Sequence, residues 1–199
     1  MNYKLEKSST AIGNRVVHQP GTAGISTSTT STSWRDAAKR NFILQMGFDD
    51  PDPALRSRQY SALVFQPRIV FLTIVAGILF QSPAVFTALG TVLWWSALFP
   101  NLNPITALYN QTIGRRPGAF RLGPAPAPRR AAETEAGTIA LTIALLLYAG
   151  LSPAAYAVEG ILLAAVLAVL IASFCTGTFL YHLACGRWRF IRQTLPWAN

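Results

Sequence analysis

Apolar positions gather into two blocks, each broken once by a polar turn. In the first, residues 69–80 and 84–99 flank Gln81-Ser82-Pro83. In the second, residues 136–150 and 154–183 flank Leu151-Ser152-Pro153. Near-continuous hydrophobicity over such lengths predicts helices apolar on all sides, which are buried or span a membrane. Pro67 fits the first turn of the first helix. A span needs about 20 apolar residues. The outgoing helices offer roughly 15, about 22 Å at helical rise. Arg68 can snorkel to the interface to lengthen the first, and Glu133 and Glu135 fit headgroup level before the second. Re-entrant hairpins are the alternative.

The polar segments have their own pattern. Residues 1–33 are Ser/Thr-rich and low in complexity, and read as a disordered arm. Ser33-Trp34-Arg35-Asp36 resembles a capping box. Behind it Trp34, Ala38, Phe42 and Met46 recur every four residues, with Arg35, Lys39 and Arg40 off that face. This predicts a short amphipathic helix that ends at Gly47, before the acidic, Pro-rich turn. It would lie on the membrane surface or dock on the protein's own cytoplasmic face. Between the hairpins, Pro124-Ala125-Pro126-Ala127-Pro128-Arg129-Arg130 favours an extended, stiff segment. That segment would be a spacer or would present Arg129 and Arg130 to lipid or a partner.

At an offset of seventy residues Ser82-Pro83-Ala84 matches Ser152-Pro153-Ala154, Phe86 matches Tyr156, Gly90 matches Gly160 and Thr106 matches Thr176. Units of two spans each share one orientation, which gives a parallel repeat.

Charge changes the picture most. All seventeen Lys and Arg lie outside the hairpins: nine up to Arg68, five between the hairpins (Arg115, Arg116, Arg121, Arg129, Arg130), and Arg187, Arg189 and Arg192 after them. Basic flanks mark the cytoplasmic side. They place both termini and the long loop in the cytoplasm and the Ser-Pro turns outside. The net charge of +9 then reads as flanks facing anionic lipid rather than as a nucleic-acid footprint. No apolar stretch follows the first residues, so a cleaved secretory signal is not expected. Two cysteines set no disulfide framework.

Few residues suggest chemistry. Glu159 is the one acid in a return helix, and an intramembrane carboxylate is a functional candidate. It lies six residues past Pro153, about 9 Å from the turn, where hydration or a bonded neighbour is the plainer reading. Cys175, Thr178, His182 and Cys185 would form one stripe at the cytoplasmic end of the last helix. Thiol and imidazole together suggest metal or thiol chemistry. A small buried Cys175 and an interfacial His182 are the plainer reading. The two cysteines would stand about 15 Å apart, too far for a disulfide within the helix, and two ligands rarely hold a metal. Gly160, Ala164, Ala168 and Ala172 would pack against Ala136, Ala140 and Ala144 across the second hairpin. No phosphate-binding loop or catalytic triad is present, and the sequence names no cofactor or metal.

Three motifs carry a family resemblance. They are Ser96-Ala97-Leu98-Phe99-Pro100-Asn101-Leu102-Asn103-Pro104-Ile105-Thr106-Ala107-Leu108-Tyr109, the Pro124–Arg130 segment, and Phe174-Cys175-Thr176-Gly177-Thr178-Phe179-Leu180-Tyr181. In this order, across Arg68 to Gly186, they resemble a family of small bacterial integral membrane proteins defined by domain of unknown function 4395. The resemblance implies a membrane location and no settled activity. In the family pattern a second cysteine often follows the first by three residues. Thr178 stands there, which weakens any thiol-pair mechanism.

The expected fold is an all-α membrane protein of four transmembrane helices in two parallel-repeat hairpins, with a cytoplasmic arm and a short amphipathic helix. Its segments are the arm 1–33, surface helix and turn 34–60, first hairpin 61–110, basic loop 111–135, second hairpin 136–186 and basic tail 187–199. The expected role is a non-catalytic accessory or scaffold subunit of the inner membrane. Lipid and a membrane protein are its partners, met through Trp34, Arg35, Lys39, Arg40, Phe42, Arg129 and Arg130. A thiol oxidoreductase using Cys175, with His182, and a small transporter using Glu159 are the alternatives.

Overall fold

The structure is a computed structural model that describes residues 34–50 and 52–195. The arm 1–33, with the Ser33 cap, lies outside the described residues. Those residues form eight α-helices and a single 3-10 turn, Pro100–Leu102, and contain no strand.

A ring of four helices makes the body. Helix α2 (Pro53–Phe80) and α3 (Pro83–Leu98) form the first hairpin, α5 (Ala127–Tyr148) and α6 (Ser152–Ala172) the second. Going round the ring, α2 packs on α3, α3 on α5, α5 on α6, and α6 back on α2. Helices α2, α5 and α6 are long and apolar enough to cross a membrane, and α3 is a shorter apolar helix. Outward-facing side chains such as Leu72, Leu79, Leu145 and Ile161 are exposed and apolar.

Local chemistry sets the ends. Asp52 caps α2, its carboxylate accepting from Ala54 N–H at 2.9 Å, and Pro53 opens the first turn. The helix therefore begins well before Pro67, which sits inside it. This corrects the expected start near residue 67. The residue 60/61 boundary falls within α2, 110/111 within α4 (Pro104–Thr112), and 135/136 within α5. Gln81 closes α2 in the left-handed region, φ 44°.

A second correction concerns the last helix, expected to run through Leu183. It stops at Ala172, where Ser173 turns left-handed (φ 53°) and the Phe174 and Ser173 N–H groups close back on Ala168 and Val169. Tyr60 of α2 bonds the Ser173 hydroxyl at 2.8 Å. The chain then restarts as α7 (Thr176–Ala184), followed by α8 (Trp188–Thr194). Gly177 permits the new direction: a Cβ there would lie 2.7 Å from the Ala132 Cα of α5. The proline-arginine segment is the third correction, because α5 already begins at Ala127 with Pro128 in its first turn.

Helix α1 (Trp34–Gln45) docks on the protein itself, against α2 and α8. Ala38, Phe42 and Met46 are buried in the core at the basic end, and Gly47 follows in a left-handed turn, φ 85°. Asn41 donates to the Leu195 carbonyl at 2.9 Å, and Gln45 donates to the carbonyl of Thr194. Phe42 is thus a core residue, while Trp34, Arg35 and Arg40 remain exposed and Lys39 half-buried beside Asp36.

The inward face of α6 carries Ala155, Glu159, Leu162, Val166 and Val169. The small-residue stripe faces outward instead: Gly160, Ala164 and Ala172 are exposed and Ala168 half-buried. Size complementarity accounts for this inversion. Helix α5 contributes the small buried residues Ala140 and Ala144, so α6 fills the space opposite with Leu162 and Val166. The close helix approach lies elsewhere, between α3 and α5. A Cβ on Gly90 would meet the Gly137 carbonyl at 2.9 Å, and one on Gly137 the Gly90 carbonyl at 3.2 Å.

Candidate functional site

A cluster of buried polar groups, with a buried ion pair at its centre, lies where α2, α4 and α5 meet. Asn103 caps α4, its Oδ1 accepting from the N–H groups of Ile105 (3.0 Å) and Thr106 (2.9 Å). Its amide also donates to Glu133 Oε1 at 3.3 Å. Gln66 of α2 donates to the same oxygen at 2.9 Å and accepts from Arg129 Nη2 at 2.5 Å. Arg129 Nε lies 3.4 Å from Glu133 Oε1, one helical turn along α5. Both charged residues are 4 % exposed. Burying either alone would cost several kcal/mol, about 3–5 by the effect of removing one partner, so each is the condition for the other.

Two atoms of this cluster, Arg129 Nη1 and Glu133 Oε2, have no hydrogen-bond partner among the described residues. Both side chains line a cavity of about 100 Å³ that is open on one side. Leu63 and Val70 of α2 and Leu162, Val166 and Val169 of α6 give it apolar walls. Cys175 and Gly177 close its basic end beside Glu135.

Arg129 was expected on a solvated loop facing lipid or a partner. It is instead internal, because α5 begins at Ala127, well before the expected start at residue 136. Arg130 is exposed and donates to the Ala97 carbonyl at 2.6 Å, tying α5 to the end of α3. Glu133 was expected at headgroup level and is buried. Asn103 lies in the first family motif and Gln66 in none, and the signal in the sequence is the four-residue spacing of Arg129 and Glu133, that of a helical ion pair.

The other candidates are dispersed. Glu159 is 2 % exposed at the opposite end, with Gln81 Nε2 at 3.3 and 3.5 Å from its two oxygens. Cys175 and Cys185 cap the two ends of α7, the first buried and the second exposed, with Thr178 and His182 buried between them. Burial pushes the Cys175 thiol up in pKa, only partly offset by hydrogen bonds from Thr178 and Gly177. Thr178, three residues on, donates its hydroxyl to the Cys175 carbonyl at 3.0 Å. His182 is buried beside Phe190, and its Nε2 lies 3.1 Å from the Gln45 carbonyl. Only the protonated Nε2 can bond that oxygen, so the neutral ring carries its hydrogen there. Burial, with Arg187 nearby, lowers the His182 pKa despite this bond. No group of three or more His, Cys, Asp or Glu placed to hold a metal occurs among the described residues.

These features define an all-helical protein with three candidate membrane spans around a small polar-ended cavity. The chain belongs to the family of domain of unknown function DUF4395, whose sequence profile matches residues 61–185. The match takes in α2 from residue 61 onward, the rest of both hairpins, the polar cluster and α7, and leaves α1 outside. Neither the curated proteins nor the solved structures offer a match to this chain.

Proposed function

We propose that the chain is an integral inner-membrane protein that crosses the bilayer four times and serves as a non-catalytic accessory or scaffold subunit of a membrane assembly. Helix α3, with 16 residues, supplies the fourth crossing at about 24 Å of helical rise. Both termini and the basic segment between α4 and α5 lie in the cytoplasm, with Arg129 and Arg130 at the cytoplasmic end of α5, in keeping with the basic flanks. The same plan occurs twice: long helix, Ser-Pro turn, return helix, and a nine-residue helix, α4 or α7. That correspondence supports an internal duplication.

The observation that carries the subunit reading is the outward stripe Gly160, Ala164 and Ala172 on α6. A Cβ added at Gly160 meets nothing within 4 Å. Lipid provides no hydrophobic drive for helix pairing, so membrane interfaces favour small residues that let backbones approach. A stripe unused inside the bundle is therefore suited to a helix of another membrane protein. The test is native gel electrophoresis after extraction in mild detergent from the source membrane. The chain should migrate as a larger assembly that Ala164→Leu/Ala172→Leu dissolves without moving the chain's thermal midpoint. A lone wild-type monomer, or an assembly indifferent to the leucines, overturns the proposal.

A further inference from the structure

The cations at the basic end fall into two kinds. Lys39 faces Asp36 at 3.5 Å, and Arg40 and Arg56 share Asp50 at 2.8 and 3.9 Å. On the α4 side there is no such balance. No Asp or Glu occurs between Asp52 and Glu133. Arg58, Arg115, Arg116, Arg121 and Arg130 are exposed, and none forms an ion pair among the described residues.

The segment that carries three of these arginines is held in place. Asn110 of α4 donates to the Leu122 carbonyl at 2.9 Å and accepts from the Leu122 N–H at 3.0 Å. Leu122 is buried in the core at the basic end, and Phe120 packs against that core. Within this loop Gly118 turns left-handed, φ 76°, and the Arg58 guanidinium lies against it: a Cβ there would stand 3.2 Å from Arg58 Nη1. Folding thus brings Arg58 of α2 up to the turn that follows Arg115 and Arg116. Like charges gathered without an acid repel one another, and a bound anion relieves that repulsion.

Apolar surface continues from the arginines. Pro104, Ala107, Leu108, Gln111 and Thr112 are the exposed face of α4, which grades from apolar to polar and leads to Arg115. Phe99 and Leu102, just before α4, are exposed as well. Arg130, bonded to the Ala97 carbonyl, sets a further cation beside exposed Leu98. An acidic protein segment or a nucleic acid would satisfy the arginines and leave Leu102 and Leu108 in water. A bilayer interface satisfies both, with phosphates above acyl chains.

We propose that α4 and the turn at 115–118 lie in the headgroup layer of the cytoplasmic leaflet and bind anionic phospholipid, with Arg58, Arg115 and Arg116 on its phosphates and Leu102 and Leu108 in the acyl region. This rests on the membrane reading and is independent of the subunit reading.

The test reconstitutes the full chain into nanodiscs of equal phosphatidylglycerol and phosphatidylcholine and identifies the lipids retained on release by native mass spectrometry. Phosphatidylglycerol should be retained in preference by about tenfold or more, and Arg115→Gln/Arg116→Gln should lower that preference by about fivefold or more. Arg40→Gln/Arg56→Gln removes the same charge from groups already facing Asp50, and should leave the preference within about twofold of wild type. Raising salt from about 0.1 M to about 1 M should weaken the wild-type preference, a reading that needs no variant to fold. Equal retention of the two lipids, equal losses in the two double variants, or retention of an added polyglutamate peptide in place of phosphatidylglycerol each overturn the proposal. Entry of the chain into discs of phosphatidylcholine alone tests the membrane reading separately.

Discussion

Removing either member of the Arg129–Glu133 pair should destabilise the protein far more than removing both. At 3.4 Å two unit charges attract by about 5 kcal/mol in an effective dielectric of about 20. Desolvation of both groups offsets much of this, so the intact pair is worth little net. Arg129→Met leaves the Glu133 carboxylate buried with only the amides of Gln66 and Asn103. Glu133→Gln leaves a buried guanidinium with no counter-charge. Each single change should cost about 3–5 kcal/mol. The double variant leaves neither charge unpaired and should cost less than either single change, so the coupling should be at least about 3 kcal/mol, the upper end for contacting charged residues. Equilibrium unfolding in mixed micelles, followed by tryptophan fluorescence, measures all four corners of the cycle. Single losses below about 1 kcal/mol, the worth of a solvated pair, would mean that water reaches the cluster. Strict additivity would mean that the two side chains do not interact. Either result refutes the buried network.

The α3–α5 crossing gives a second expectation. Gly137→Val adds atoms where even a Cβ lies 2.9 Å from Trp94 Cδ1, and should cost about 1–3 kcal/mol in the same assay. Gly123→Ala, which meets nothing within 4 Å, is the control, and equal losses would discount the crossing. His182 predicts a pH dependence. Its folded pKa lies below the ordinary value, so its contribution is complete above an unfolded pKa of about 6.5 and is lost as pH falls from there through the folded value. Stability should drop between neutral and mildly acidic pH, and His182→Gln should flatten that drop. An unchanged profile in the variant would exclude the histidine as its source. The two thiols should differ in reactivity: with Cys185→Ser, the remaining Cys175 should react with maleimide at least about tenfold more slowly than Cys185 does in Cys175→Ser. Equal rates would show that Cys175 is reached by solvent.

The hairpins were legible because membrane-type helices announce themselves by composition, which needs no partner to interpret. Helix ends were less so. Proline at positions 67 and 128 reads as punctuation, yet Pro67 is accommodated inside α2 and Pro128 in the first turn of α5. The break at Ser173 left no Gly or Pro to mark it. It depends on Tyr60 and on the room Gly177 makes against α5, contacts more than forty residues away in sequence for both. The site was the least legible part. Gln66 and Asn103 are ordinary polar residues alone, and only the return of α5 past α2 and α4 gives them a shared carboxylate. The small-residue stripe was found correctly as a pattern and assigned to the wrong side, since spacing defines a face without saying which way it points.

The polar cluster also constrains how the protein is made. Gln66 precedes its partner Arg129 by 63 residues, so at about 5–20 residues per second the ribosome leaves the first hairpin waiting roughly 3–13 seconds. During that time Gln66 and Asn103 have no Glu133 to bond, and the network forms only when α5 arrives. The first half is thereby kept from completing its own fold.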